Sequence, residues 1–323
     1  MTAPAAPAAP ATLVVGEALA DVVVTADGEA AHPGGSPANA ALGLARLGHR
    51  VELATRFGRD AYGELLREHL TGSGVVLAPG SVGDGPTSTA RAHLDAHGSA
   101  AYRFDITWDP APPRLPAVPG HLHTGSVATA LEPGASRVLA LVEAARAAGH
   151  TVSYDPNLRP ALMGPPEAER PRVERLVALC DVVKASEEDL AWLCPGRAPA
   201  DVAADWARRG PCLVVVTRGA DGAEAFWSPD GGHRVPGRRV PVVDTIGAGD
   251  AFMAGLLAGL LSAGLLGDRA GRLRLRAATR GGPAFPEVAA ALGLAARVAE
   301  LTCARRGADP PSLAEVTRAA AVG

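Results

Sequence analysis

Aromatic residues fill only 4% of the 323 positions, and they form no cluster that could stack on a nucleobase. Lysine is scarce, and the formal net charge is −3, so the chain carries no basic footprint for nucleic acid or an anionic membrane. No apolar run is long enough to span a bilayer. Met1–Ala11 is rich in Ala and Pro but lacks the basic start and apolar centre of a signal peptide, and it reads as a disordered tail. There are four cysteines, Cys180, Cys194, Cys212 and Cys303. They have no metal-type spacing and lie in or near apolar segments, as expected for reduced, largely buried thiols of a cytoplasmic protein. The nine histidines form no ligand-like constellation. His121 and His123 alternate on one strand and read as structural, and Trp192 and Trp206 read as core. GxxxxGK[ST] is absent, which excludes a P-loop.

What is present is a large apolar fraction, 47%, enough for one sizeable α/β unit over 12–323. Short β-branched runs (12–15, 51–55, 121–124, 151–154, 182–184, 213–217) alternate with Ala/Leu-rich helical stretches (38–47, 61–70, 135–148, 172–178, 187–193, 202–209). That rhythm predicts a parallel sheet with helices on both faces. Two segments break it. Leu19–Ala30 and Thr87–Phe104 read as extended, within excursions of about 18–33 and 86–106. The Arg- and Gly-rich stretch Leu265–Pro286 reads as a long surface loop.

Two glycine-rich helix starts stand out. In Gly34-Gly35-Ser36-Pro37-Ala38-Asn39, Ser36 suits the cap and Pro37 the first helical position. In Asp244-Thr245-Ile246-Gly247-Ala248-Gly249-Asp250, small residues precede a lone carboxylate. Small residues let the backbone approach a ligand, and first-turn N–H groups attract anions. Asp250 therefore stands where a phosphate would be held, and the chemistry suited to it is accepting a proton from an attacking hydroxyl. An ordinary helix cap is the alternative.

Together with Leu47-Gly48 and the residues between, these two motifs resemble the signatures of the PfkB-type carbohydrate kinases, the ribokinase-like superfamily, over about Leu13–Pro311. The resemblance implies a three-layer α/β/α ribokinase-like fold with a mainly parallel central sheet and a small β-sheet lid over the sugar. It implies an ATP-dependent sugar kinase using Mg²⁺, with Asp250 as base and the Gly247, Ala248 and Gly249 amides as anion cradle. Sugar contacts carry over to Asp21, Gly34, Gly35 and Asn39, and to Asp155, Asn157 and Arg159 of the Asp155-Pro156-Asn157-Leu158-Arg159 run. Arg159 stays open between steering a phosphate or carboxylate and pairing with a helix acid. Nucleotide contacts carry over to Lys184, Ser186, Thr217, Gly219, Gly222, Gly247, Gly249, Cys303 and Gly307. Ser186 and Asp189 replace the commoner Asn-x-x-Glu. This leaves Asp189 as a water-mediated Mg²⁺ contact and puts individual metal contacts in question. Asp244 would border K⁺ in cation-dependent members, and K⁺ dependence here stays open.

Gly16-Glu17 followed by Asp21, with the DPNLR run, resembles fructokinases more than ribokinases, so D-fructose is the expected substrate. The alternatives are 2-keto-3-deoxygluconate, whose carboxylate would call for a basic pocket residue such as Arg91 or Arg103, ribose, and a non-catalytic sugar-binding regulator. A homodimer through the lid is compatible with the resemblance.

Overall fold

In the strand Leu213–Thr217, Val214 and Val216 enter one apolar core while Leu213 and Val215 enter another. A strand buried on both faces needs a helical layer on each side, and the computed structural model contains both. It describes residues 12–25, 28–94, 100–118, 120–228, 231–237, 241–283 and 285–322; the tail expected over Met1–Ala11 lies outside them.

The described strands are β1 (Thr12–Val15), β2 (Leu19–Thr25), β3 (Gly28–Gly34), β4 (Val51–Ala54), β5 (Val76–Leu77), β6 (Thr89–Leu94) and β7 (Ala100–Asp105). They continue with β8 (His121–Gly125), β9 (Thr151–Asp155), β10 (Val182–Ser186), β11 (Leu213–Thr217), β12 (Gly222–Trp227) and β13 (Gly231–Pro236). The main sheet has the order β13-β12-β11-β10-β9-β8-β1-β4-β5. It is parallel from β11 to β5, and β12 and β13 extend one edge antiparallel. The second sheet, β3-β2-β6-β7, is built from the two excursions. Leu19–Ala30, read as extended, falls in β2 and the start of β3, which pair antiparallel.

The helices are α1 (Ser36–Arg46), α2 (Ala61–Gly72), α3 (Gly134–Ala147), α4 (Pro166–Leu179), α5 (Glu187–Leu193), α6 (Pro199–Arg209), α7 (Ala248–Ser262), α8 (Arg269–Ala278), α9 (Phe285–Cys303) and α10 (Leu313–Val322). Side chains of α1, α2, α7 and α9 pack on one face of the main sheet, and those of α3 to α6 on the other. Helix α7 is apolar nearly all round, as a helix inside a layer must be. Added Cβ atoms at Gly255 and Gly259 would lie 2.8 and 2.7 Å from the Ala295 and Ala291 Cα atoms. The small residues thus bring α7 and α9 into backbone contact and fix the first turn of α7 over the sheet.

Two expectations need correction. Helix α4 starts at Pro166, not Arg172; Pro166 suits the first helical position, whereas Pro171 lies in the second turn, lacks the N–H that would bond the preceding turn, and so read as a boundary. Leu265–Pro286 is not a long loop, because it contains α8, whose Asp268 side chain caps the Gly271 N–H at 2.7 Å. Its arginines hid the apolar period. Leu275 and Ala278 enter the core, while Arg272 reaches the fully buried Asp181 at 2.6 Å.

Candidate active site

The two glycine-lined helix starts meet. Asp250 lies in the first turn of α7, but its side chain makes no cap bond; the cap is Gly247, at φ 74°. The carboxylate turns across the crevice. Its Oδ1 accepts the Ser36 hydroxyl at 2.7 Å and the Asn157 amide at 3.3 Å, and its Oδ2 accepts the Asn39 amide at 2.8 Å. A carboxylate has about four acceptor positions, so one stays open for a hydroxyl. Ser36 departs from its expected role: Gly35 is the cap of α1, and the Ser36 hydroxyl is spent on Asp250. The motif read as a cap offered no signal for that bond, since Asp250 lies 214 residues away.

Gly35 is required twice over. It holds φ 106°, and a Cβ there would lie 2.4 Å from the Glu17 carbonyl oxygen. Beside it, Asp21 presses on Gly34, whose Cβ position would lie 2.0 Å from Asp21 Oδ2. Burial pushes the Asp21 carboxyl up to about 6, with Arg159 and His32 opposing and Asp250 reinforcing. Asn157 holds φ 37°, a left-handed conformation that Asn tolerates better than most residues. Its Oδ1 accepts from Arg159 at 2.6 Å, which orients the amide so that Nδ2 faces Asp250. Arg159 also donates to the Asn157 and Leu158 carbonyls at 2.9 and 3.1 Å.

Asp155 ends β9 and meets Lys184 of β10, Nζ to Oδ2 2.8 Å, with both side chains almost fully buried. Burial raises the Asp155 carboxyl to about 6 against the pull of Lys184. Its second oxygen, Oδ1, is buried and has no hydrogen-bond partner. Asp189 is differently placed: Oδ1 accepts the Leu158 N–H at 2.7 Å, and Oδ2 accepts the Ser186 N–H and hydroxyl at 3.0 and 2.9 Å. Ser186 in turn caps the Asp189 N–H, forming a capping box. Asp189 therefore holds the DPNLR turn against α5 with both oxygens engaged. Among the described residues no group of three His, Cys, Asp or Glu side chains could hold a metal ion.

Thr217, in register with Ser186, ends β11, and the Gly219–Gly222 turn follows. Val243 and Asp244 donate from their backbone to the Cys303 carbonyl at 2.8 and 3.2 Å, and Asp244 Oδ2 accepts the Gly307 N–H at 2.9 Å. Asp244 Oδ1 accepts the Ile246 N–H at 3.0 Å, and these amides hold the Asp244 carboxyl below its usual range. The loop before Gly247 is thereby fastened to the end of α9. Asp21, Asn39, Asn157 and Asp250 share one crevice, and Asp155 and Lys184 lie at its edge under Gly249, whose Cβ position is 3.0 Å from Nζ.

A parallel sheet with a ligand crevice at strand carboxyl ends, and a lone carboxylate at an anion-binding helix start, defines an α/β enzyme suited to group transfer onto a hydroxyl. The model of the pfkB family carbohydrate kinases matches residues 11–314, and the chain belongs to that family. It is 38% identical over 261 residues to a fructokinase of Klebsiella pneumoniae, covering 78% of this chain and 85% of that one. A fructokinase of Rhizobium leguminosarum bv. trifolii is 35% identical over 283 residues, covering 84% and 86%. Among solved structures, a fructokinase double mutant of Vibrio cholerae O395 bound to fructose, ADP and potassium ion superposes with a TM-score of 0.77 at 28% identity, covering 96% of this chain and 98% of that one. The ATP-bound fructokinase of Xylella fastidiosa gives 0.77 at 27% identity, covering 95% and 97%. The ribokinase-like fold and carbohydrate kinase class expected from the signatures are thus borne out.

Proposed function

We propose that this protein is an ATP-dependent fructokinase, transferring the γ-phosphate to the terminal hydroxymethyl of D-fructose. The observation that carries the reading is the Asp250 carboxylate, held at the start of α7 by Ser36, Asn39 and Asn157. Asp250 takes the hydroxyl proton through its open acceptor position as the oxygen attacks the phosphorus in line. The Gly247–Gly249 amides meet the charge that develops on the phosphoryl oxygens. Asp21, Gly34, Gly35, Asn39 and Asn157 hold the sugar. Thr217, Gly219, Gly222, Cys303 and Gly307 line the nucleotide side.

Mg²⁺ keeps most of its waters and needs few protein ligands; Asp155 Oδ1, buried without a partner, fits that need, and Asp189, already saturated, does not. Bound there with the phosphates, the ion would offset their charge. The potassium of the Vibrio cholerae fructokinase structure supports a monovalent cation beside Asp244.

Fructose is favoured over 2-keto-3-deoxygluconate by the fructokinase relatives, and the lid arginine Arg91 is already bound to Glu29 and Tyr62. The small sheet acts as a lid that excludes water, and its outer strands β3 and β7 offer edges for a homodimer. Free cysteines, three of them buried, suit a reducing cytoplasm. Among the described residues no helix is long and apolar enough to cross a membrane.

The test is ATP consumption with fructose, ribose, 2-keto-3-deoxygluconate and adenosine, for the protein and for Asp250→Asn. Fructose should be preferred. The variant should bind the sugar yet lose turnover by about three orders of magnitude or more. Near-normal turnover in the variant removes Asp250 as base, and no turnover with any sugar in the parent points to a sugar-binding regulator.

A further inference from the structure

Gly83-Asp84-Gly85-Pro86 leads from the main body of the molecule towards β6, and its composition is that of a loose link. The next residue ends the looseness. Thr87 is buried. Its N–H donates to Asp60 Oδ2 at 2.8 Å, its hydroxyl donates to Asp60 Oδ1 at 2.7 Å, and its Oγ1 accepts the Gly58 N–H at 2.9 Å. Asp60 Oδ1 also caps α2 through the Gly63 N–H at 2.8 Å. Burial would raise the Asp60 carboxyl, but the bonds from Thr87 and Gly63 outweigh it and hold the group below its usual range. Two glycines make room for this clasp. A Cβ at Gly58 would lie 2.4 Å from the Gly85 carbonyl oxygen, and one at Gly63 would lie 3.0 Å from Thr87 Oγ1.

The hydrogen bonds change sides at the next residue. Ser88 Oγ accepts the Thr107 N–H at 3.1 Å and donates to the Thr107 carbonyl at 3.3 Å, and the Ser88 carbonyl accepts the Ala20 N–H of β2 at 2.9 Å. Where the chain leaves the small sheet, the change is reversed just as abruptly. Trp108 donates its indole N–H to the Ala128 carbonyl at 2.9 Å, and its own carbonyl accepts the Gly134 N–H at 3.1 Å. Thr87 and Trp108 thus belong to the main body, and Ser88 and Thr107 to the lid. Turning about those two boundaries moves β6 and β7 together with β2, which is paired to β6, and breaks none of these bonds. The lid also meets α2 at Tyr62, whose hydroxyl donates to Glu29 at 3.0 Å and accepts from Arg91 at 2.9 Å. That contact lies at the surface, where water can replace it. Opening the clasp would instead strand the buried Gly58 N–H.

We propose that Thr87, clamped by Asp60, is the positioning residue from which the lid hangs, and that the Thr87–Ser88 and Thr107–Trp108 links are its hinges. The inference rests on the kinase reading and deepens it. The clasp sets how the small sheet comes down on the sugar beside Asp250, and it takes no part in holding the nucleotide.

Asp60→Asn isolates the clasp. Asparagine caps a helix about as well as aspartate, and its oxygen still accepts the Gly63 N–H, but its amide meets the Thr87 N–H donor to donor. The melting temperature should stay within about 4 °C of the parent. The fructose KM should rise about tenfold while the ATP KM stays within about twofold, and ATP hydrolysed per fructose phosphorylated should rise about fivefold as a misplaced lid admits water. Thr87→Val, which keeps the shape and loses the hydroxyl, should give the same split, and Thr87→Ser should hold the fructose KM within about threefold of the parent. Independently of turnover, fructose should slow amide exchange over Thr89–Leu94 in the parent and lose that effect in Asp60→Asn, with exchange in α2 unchanged. A fructose KM within about twofold of the parent in both Asp60→Asn and Thr87→Val overturns the proposal, and so does an equal rise in the two KM values. A parent that phosphorylates no sugar and shows no fructose-dependent protection defeats the kinase reading and this inference together. Unaltered variants of an active parent defeat this inference only. If Asp60→Asn fails to fold, the two Thr87 variants carry the test.

Discussion

At the scale of single residues, the crevice is assembled from what the chain otherwise avoids. The sequence has two asparagines and no glutamine, and both asparagines donate to Asp250. A sequence with so few amides and one lysine marks those positions before any fold is known, independently of the motifs they belong to. Glycines mark the remaining contacts, and they separate into two kinds. At Gly34 an added methyl would meet the end of the Asp21 side chain, which can swing away. Gly34→Ala should leave the melting temperature nearly unchanged and raise the sugar KM about tenfold with kcat little altered, checked by steady-state kinetics. At Gly247 the methyl would meet Ala308, including its Cα at 2.8 Å, and φ is 74°. Backbone cannot yield cheaply, so Gly247→Ala should cost about 2 kcal/mol in denaturant unfolding and lower kcat as well.

At the scale of elements, the capping box of α5 is also the anchor of the catalytic turn. Asp189 joins the end of β10, the start of α5 and the backbone of Leu158. Removing it leaves the Ser186 cap in place but breaks the other half of the capping box and leaves the buried Leu158 N–H and the Ser186 N–H unpaired. Asp189→Ala should therefore cost about 2 to 3 kcal/mol of stability. It should also lower kcat, because Asn157 loses its register against Asp250, while Asp189→Asn should recover only part of the stability, since an amide keeps one of the two acceptor oxygens and faces the other N–H with its own donor. Comparing unfolding midpoints and kcat of the two variants checks this. Much of this scale was legible in the sequence. A continuous β-branched run marked β11 at its true ends, and Glu187–Leu193 stood out because Ser186 opens it and acids fill its first turn. The misses have local causes. Helix α8 buries little beyond Leu275 and Ala278 and spends Arg272 on a buried acid, so its apolar stripe is too thin to read. The Ser36–Asp250 bond joins residues that only the packing of α1 on α7 brings together.

At the scale of the whole molecule, folding buries acids near one crevice, and the sum of their protonation should govern how stability responds to pH. Glu17 is the clearest case, with 4% exposure. Burial pushes its carboxyl up to about 7, despite bonds from Ser126 and the Ala128 N–H and the charge of Arg159. In the unfolded chain the same group titrates near its ordinary value of about 4.3. Between those two values the folded protein keeps a proton that the unfolded chain has released, so stability falls as pH rises through that window. Asp21 and Asp155, both raised to about 6, act in the same direction over its lower part. Glu17→Gln keeps an acceptor for the Ala128 N–H but removes the titration. Urea unfolding at about pH 5 and about pH 7.5 should therefore show the parent losing about 2 kcal/mol more than the glutamine variant over the same interval. An equal loss in both proteins would assign the pH response to the other crevice acids and leave Glu17 ionised in the folded state.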